Sequence, residues 1–278
     1  MTSDNGSLDP VTSGAPVHRP PFPVGWFALA MAAEVPEGVL VPVAAFGQSL
    51  AVGRTPDGRA LVVHASCPHL GADLAAGGRI DDDRVMCPVH EWCFGHDGAC
   101  VSAAGGPLPN AAKLRVWPTE VVNGIIWAFQ GRSGEGSSGP PAGSATPVLV
   151  QRVEDHAGHP EDVMVGLLSA FGVADGSAEA EAWIGDLPGD RTVVVHGPGM
   201  LEVLSGPSRS QVYVTPVDGF TTSVRMCDNP MIEVDAESDR MVLSCFRDWY
   251  RRFDQPSTPT RRAARSGRSG RRARLHGA

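Results

Sequence analysis

The chain has 278 residues, room for two modest domains or one domain with tails, and 42% of them are hydrophobic, as in an ordinary globular protein. Its net charge of −8 hides an asymmetry: nine of the 23 Lys and Arg residues fall between Arg251 and Arg274, where Asp254 is the only acid, so the body that precedes them is strongly acidic. An acidic body argues against nucleic acid as the main partner. No apolar run reaches the roughly 18 to 20 residues of a membrane helix, and the start MTSDNGSLDP lacks the basic and apolar stretches of a signal peptide. A cytoplasmic protein with no membrane partner is expected. The six cysteines, at 67, 87, 93, 100, 227 and 245, then read as metal-ligand candidates sooner than as a disulfide framework.

Residues 1–19 are rich in Ser, Gly, Pro and Asp without periodicity and read as a flexible arm. From 20 to 130 short apolar runs alternate with turn residues, the pattern of an all-β domain. Val39 to Phe46, Ser49 to Gly53 and Arg59 to His64 are expected strands, with a hairpin turn at Thr55-Pro56-Asp57-Gly58. Lys113 to Thr119 and Val121 to Phe129 are expected to pair around Asn123-Gly124. Residues 131–148, almost all Gly, Ser, Pro and Ala, form a linker.

A second, α+β domain is expected over 149–254. Val163, Leu167 and Phe171, with Met164 and Leu168, give Pro160 to Val173 a helical face. Thr192 to His196 and Met200 to Leu204 flank Gly-Pro-Gly, and Gln211 to Thr215 and Phe220 to Met226 flank Pro216 to Gly219, which makes two hairpins. Ser238 is placed to cap a last helix whose apolar face is Val242, Cys245, Phe246, Trp249 and Phe253. Residues 255–278 hold no core-forming pattern and read as a disordered Arg-rich tail, with an anionic tether as the alternative.

The chemistry concentrates in two segments, Cys67-Pro68-His69-Leu70-Gly71 and Cys87-Pro88-Val89-His90, each offering one thiolate and one imidazole. Two Cys and two His suit a tetrahedral zinc ion, but zinc modules group like ligands, whereas here the types are mixed within each segment. Mixed pairs suit a two-iron cluster with thiolates on one iron and imidazoles on the other, because each loop then spans both irons.

These segments, together with Pro23-Val24-Gly25-Trp26, CPHLGADL from Cys67, CPVHEWCFGHDGAC from Cys87 and WPTEVVNGIIWAF from Trp117, resemble the Rieske non-haem iron oxygenases, nearest to the 3-ketosteroid 9α-hydroxylase and cholesterol 7-desaturase group. The resemblance implies a fold that is mainly β plus α+β, an N-terminal all-β Rieske domain followed by a small helix-grip-like α+β domain. It implies one Rieske [2Fe-2S] cluster on Cys67, His69, Cys87 and His90, fed by a ferredoxin or a flavin reductase, and the acidic body would suit a basic docking face on that donor. Cytochrome bc relatives tie the two loops by a disulfide whose positions here are Ala72 and Val89, so a low-potential, oxygenase-type cluster is implied. The family usually has Gly after the second His, where this chain has Glu91, and a carboxylate there would lower the potential or obstruct docking. Cys93 and Cys100 are expected as filler thiols.

In the second domain the resemblance implies a mononuclear iron on two His and one carboxylate. His159-Pro160-Glu161-Asp162-Val163 looks like the family's lead-in, but Val165 to Gly172 holds no histidine, and Ser169 stands where a bridging Asp is expected. Asp254 reads as a relic of the third ligand, and His156 with His159 offers an alternative iron position, set against a solvated acidic loop as the plain reading. His196 reads as an ordinary strand histidine, and the catalytic residues stay unassigned. Three roles follow: the electron-transfer subunit or auxiliary of a heteromeric oxygenase with a separate catalytic subunit, a complete monooxygenase or desaturase of a hydrophobic polycyclic substrate, or a redox-sensing homologue.

Overall fold

Strand β1 (Gly25–Met31) reads Gly-Trp-Phe-Ala-Leu-Ala-Met and is buried on both faces, which sets the layering of the first unit. It is followed by β2 (Leu40–Ala45), β3 (Gln48–Arg54), β4 (Ala60–His64), β5 (Arg79–Asp81), β6 (Arg84–Met86), β7 (Cys93–Phe94), β8 (Cys100–Ser102), β9 (Val116–Trp117), β10 (Thr119–Val122) and β11 (Ile125–Gln130). These pair as three antiparallel sheets, in the orders β1-β11-β10, β2-β3-β4-β9 and β5-β6-β7-β8. The computed structural model describes residues 19–104, 106–108, 112–131, 139–141, 150–179, 182–227 and 240–254. The arm up to residue 18, most of the linker, the Ser238 cap and the tail from 255 lie outside the described residues.

Side-chain alternation along each strand sends neighbours to opposite faces. Phe27 and Leu29 of β1, with Ile126 and Ala128 of β11, meet Leu50 and Val52 of β3 and Val62 of β4 in one core layer. Ala51 and Val63, the alternating partners on β3 and β4, face a second layer with Leu74, Val85, Phe94 and Leu114, and Cys67 and Cys87 belong to it. On the far side, Trp26, Trp127 and Phe129 meet Met200, Tyr213 and Cys227 of the second unit. The candidate metal loops thus cap one end of a stack whose other end rests on the second unit.

That unit is a seven-stranded antiparallel sheet of β12 (Val150–Ala157), β13 (Asp175–Ala178), β14 (Ala182–Leu187), β15 (Arg191–His196), β16 (Met200–Ser205), β17 (Ser208–Pro216) and β18 (Thr221–Cys227), in the order β12-β18-β17-β16-β15-β14-β13. Helices α1 (Pro160–Phe171) and α2 (Arg240–Tyr250) pack on it. The His159 side chain caps α1 by accepting from the Glu161 amide, Pro160 supplies the first turn, and Gly172 ends it at φ +73°, a left-handed conformation that glycine adopts without penalty. The two units are tied by the Thr215 hydroxyl donating to the Ala28 carbonyl at 2.7 Å, by Arg225 on Glu34 at 2.7 Å, and by Trp127 edge-on to Tyr213 at 5.6 Å.

The mainly β plus α+β class is as expected, but several elements differ from the sequence reading. Lys113 to Thr119 is not one strand: Pro118 cannot donate to a ladder, so Val116–Trp117 joins β4 and only Thr119–Val122 forms the hairpin with β11. Strand β1, the whole β5-β6-β7-β8 sheet, and β12, β13 and β14 were not anticipated. The acidic loop expected around His156 is the edge strand β12. Cys245 is exposed on α2, whose buried face is Val242, Phe246, Trp249 and Tyr250.

Candidate metal centre

Two turns of one design present the four predicted ligands. After β4, the Gly71 amide donates to the Cys67 carbonyl at 2.9 Å and the Cys67 amide to the Ala72 carbonyl at 2.8 Å. Between β6 and β7, the Glu91 amide donates to the Cys87 carbonyl at 3.1 Å and the Cys87 amide to the Trp92 carbonyl at 2.9 Å. Proline in second place presets the backbone for the reversal and carries no N–H to leave unpaired. The closing residue of each turn is left-handed, at φ +75° for Gly71 and +54° for Glu91. Glycine is unstrained there and glutamate is not, so Glu91 alters the backbone energetics of its turn as well as its charge.

The turns carry Cys67 and Cys87 into the core layer, at 2% and 1% exposure. Burial pushes the Cys67 thiol up, the backbone N–H groups of His69 and Leu70 directed at its sulfur pull it down, and the adjacent Cys87 sulfur raises it again. The His69 and His90 rings lie edge to face with centroids 4.9 Å apart. His69 Nδ1 is buried with no hydrogen-bond partner. Two neighbouring buried sulfurs, two neighbouring imidazoles and an unsatisfied ring nitrogen fit a cluster bridging both loops, with thiolates on one iron and imidazoles on the other. A single zinc would need its ligands on one point, and among the described residues no three His, Cys, Asp or Glu side chains converge in that way.

Sequence reasoning missed Trp92. Its indole lies flat on the His69 ring, 3.9 Å between centroids and 8° between planes, and no local pattern signals a contact made between two loops. Above the rings is an open cleft of about 500 Å³ bounded by His69, His90, Trp92, Ala103, Ala104, Gly106 and Pro107. Leu70 and Val89, the chain neighbours of His69 and His90, are exposed apolar side chains, at 73% and 59%. The Glu91 carboxylate is exposed and 4.0 Å from Arg79. Cys93 is buried beside β8 and its thiol donates to the Glu91 carbonyl, while Cys100 is only partly buried and packs against the core layer.

The second-domain candidates are not brought together as a ligand set. His159 is committed at both nitrogens, Nδ1 accepting from the Glu161 amide and Nε2 facing the Pro20 carbonyl at 3.1 Å. His156 stands on β12 beside Glu154 at 3.7 Å. Where the lead-in acids fall, Arg19 and Arg247 each bridge Glu161 and Asp162, at 2.7 to 3.3 Å. Asp254 lies next to this ring with both carboxylate oxygens buried and without hydrogen-bond partners, and burial, with Glu161 nearby, pushes it up to about 6. His196 is less ordinary than expected: it meets the buried Glu202 at 3.1 Å, and Gln211 links Glu202 to the Tyr213 hydroxyl. Trp183, Phe246, Trp249 and Tyr250 fill the space between sheet and helices.

Residues 25–118 match the Rieske [2Fe-2S] domain. Over 116 residues the chain is 41% identical to a cholesterol 7-desaturase of Bombyx mori, a stretch that is 41% of this chain and 26% of that protein. Over 147 residues it is 31% identical to a probable 3-ketosteroid-9-alpha-monooxygenase, oxygenase component, of Rhodococcus rhodochrous, covering 52% of this chain and 35% of the relative. The chain therefore matches between a quarter and about a third of the length of these relatives. Dicamba monooxygenase shares its fold across 82% of this chain and 86% of its own, at a TM-score of 0.60 and 16% identity. NdmA of Pseudomonas putida CBB5 does so across 88% and 84%, at a TM-score of 0.59 and 18% identity.

Proposed function

From a chain that carries a Rieske [2Fe-2S] domain of the oxygenase type, we propose an electron-transfer role: Cys67, His69, Cys87 and His90 hold the cluster, and the protein serves as the cluster-bearing subunit or auxiliary of a heteromeric oxygenase. When bound, the cluster supplies one-electron transfer at a raised potential, because neutral imidazoles replace two thiolates. The chain's part is to bury the thiolate side, donate backbone N–H groups to the Cys67 sulfur, and leave the imidazole edges at an open cleft that a redox protein can approach. A ferredoxin or a flavin reductase would deliver the electron, and a separate catalytic subunit would receive it. The sterol relatives suggest a hydrophobic polycyclic substrate for that subunit.

The observation that carries this reading is the interior of the second unit. Four aromatic side chains pack the space between its sheet and helices, and His159, the histidine of the family-like lead-in, spends both nitrogens on the backbone. The experiment is metal and sulfide analysis of the anaerobically purified chain, with EPR of the reduced state. Two irons and two sulfides per chain, and electron delivery to a copurifying oxygenase subunit, are expected. A third iron that supports substrate oxidation would instead make the chain a complete oxygenase, and a reducible cluster that passes electrons to no partner would make it a redox sensor.

A further inference from the structure

We infer that Trp92 is a positioning residue for the cluster, a non-covalent brace between the two ligand loops that holds the plane of the His69 ring. The inference rests on the cluster reading above and adds a residue to it. Trp92 closes the second turn through its own carbonyl, which accepts the Cys87 amide at 2.9 Å. Its side chain then leaves that turn and lies on the histidine of the other, 3.9 Å away and within 8° of parallel. Beneath, it packs against the core layer that holds Cys67 and Cys87, with Phe94 at 6.5 Å.

The brace matters because the last torsion of a histidine side chain is broad and nearly two-fold. Half a turn about that bond exchanges Nδ1 with a ring carbon and leaves the ring in the same plane, so the stacked indole does not choose between the two orientations; it holds the plane along which Nδ1 is aimed and obstructs the turn between them. Nδ1 of His69 is the buried nitrogen without a partner, so the observed rotation is the one that offers a lone pair to the interior. No hydrogen bond to that nitrogen holds the ring in place. What constrains it is the indole face on one side and the His90 ring, at 4.9 Å and 71°, on another. No disulfide joins the loops either, since Ala72 and Val89 occupy the positions where the resemblance would place one. The stack is thus a direct side-chain link from the second loop to the first.

The test compares Trp92→Phe, which keeps a flat ring, with Trp92→Leu, which keeps apolar bulk and removes the plane. The full-length chain is loaded with cluster, and the reduction equilibrium is read by dye-linked titration alongside the EPR line shape. The Phe variant is expected within about twofold of wild type with the same line shape. The Leu variant is expected to move the equilibrium at least about threefold, roughly 28 mV at 59 mV per decade for one electron, with an altered line shape. A Leu variant matching wild type, or a Phe variant displaced as far as Leu, overturns the brace. Should Leu cost the fold itself, the Phe variant still decides: a wild-type signature upholds the brace and a shifted one sinks it. A wild-type chain that binds no iron or sulfide would refute the cluster reading instead, so the two failures are distinguishable.

Discussion

Gly71 and Glu91 close equivalent turns in the same left-handed conformation, so exchanging their residue types should move stability in opposite directions. At Gly71 an added Cβ would meet only the Ser66 hydroxyl at 3.7 Å, an ordinary contact, so Gly71→Ala costs backbone strain alone. A left-handed non-glycine residue costs roughly 1 to 2 kcal/mol. The stiffer unfolded chain returns about 0.4 to 1 of that, leaving a net loss of about 1 kcal/mol. Glu91→Gly reverses both contributions and also forfeits the exposed Arg79 pair at 4.0 Å, worth a few tenths at most, for a net gain of about 0.5 kcal/mol. For a protein of this size the melting temperature should fall by roughly 2 to 4 °C for Gly71→Ala and rise by about 1 to 2 °C for Glu91→Gly. Because loss of a cluster makes unfolding irreversible, the comparison is between loaded chains at one scan rate. A Gly71→Ala chain melting at or above wild type, or a Glu91→Gly chain melting below it, would refute the equivalence of the turns.

Asp254 predicts a pH dependence of unusual sign. Its folded value, about 6, lies above the ordinary 3.8, so the folded chain binds the extra proton and stability should decline as pH rises from about 4 to 6, then level off. Asp254→Asn should flatten that window and stabilise the protein near neutral pH by roughly 1 kcal/mol, the full shift being discounted because the residue as a whole is only partly buried; denaturant midpoints across pH check it. Asp162, held low by Arg247 and Arg19 despite its burial, acts oppositely and only as pH falls below 3.8. Arg247→Leu removes one of two cations from Glu161, which is 1% exposed, and should cost about 2 kcal/mol, with Arg19 retaining the rest; urea unfolding with an unchanged m-value is the expected readout. His69→Ala or Cys87→Ala should abolish the visible absorption of the loaded protein while His156→Ala leaves it intact, and a cluster that survives His69→Ala would count against the ligand assignment.

The metal loops were legible because everything needed to build them is local. Cys, Pro and His stand within four residues of one another in each turn, whereas the left-handed close at Glu91 was not legible, because glutamate does not mark such a position. What else was not legible depended on contacts made at a distance. Trp92 reads as one more apolar residue until the first loop is placed beneath it. Strand β12 was hidden because its Arg152, Glu154, Asp155 and His156 are typical of a solvated segment, and an edge strand tolerates such charge for the same reason that it discourages further pairing. Strand β1 was hidden for the opposite reason: burial on both faces erases the alternation that would have marked it.

The same double burial makes the second unit part of the first unit's support. Trp26, Trp127 and Phe129 lie on the outer face of the β1-β11-β10 sheet, and Met200, Tyr213 and Cys227 of the second unit cover them. Without that cover, three large aromatic side chains of the first unit would face water. The cover is fixed by polar ties as well as packing, since the Phe46 amide donates to the Pro216 carbonyl at 2.9 Å, the Gly47 amide to Val217 at 2.8 Å, and the Val24 amide to Phe253 at 2.6 Å. Those ties engage both ends of the second unit, from the β17–β18 turn to the residues after α2. The sheet they hold shares the Phe27 and Ile126 layer with β3 and β4, and β4 leads directly into the Cys67 turn. The helix-and-sheet unit therefore has a structural part to play whatever chemistry it performs, because it forms one wall of the stack on which the candidate metal loops are built.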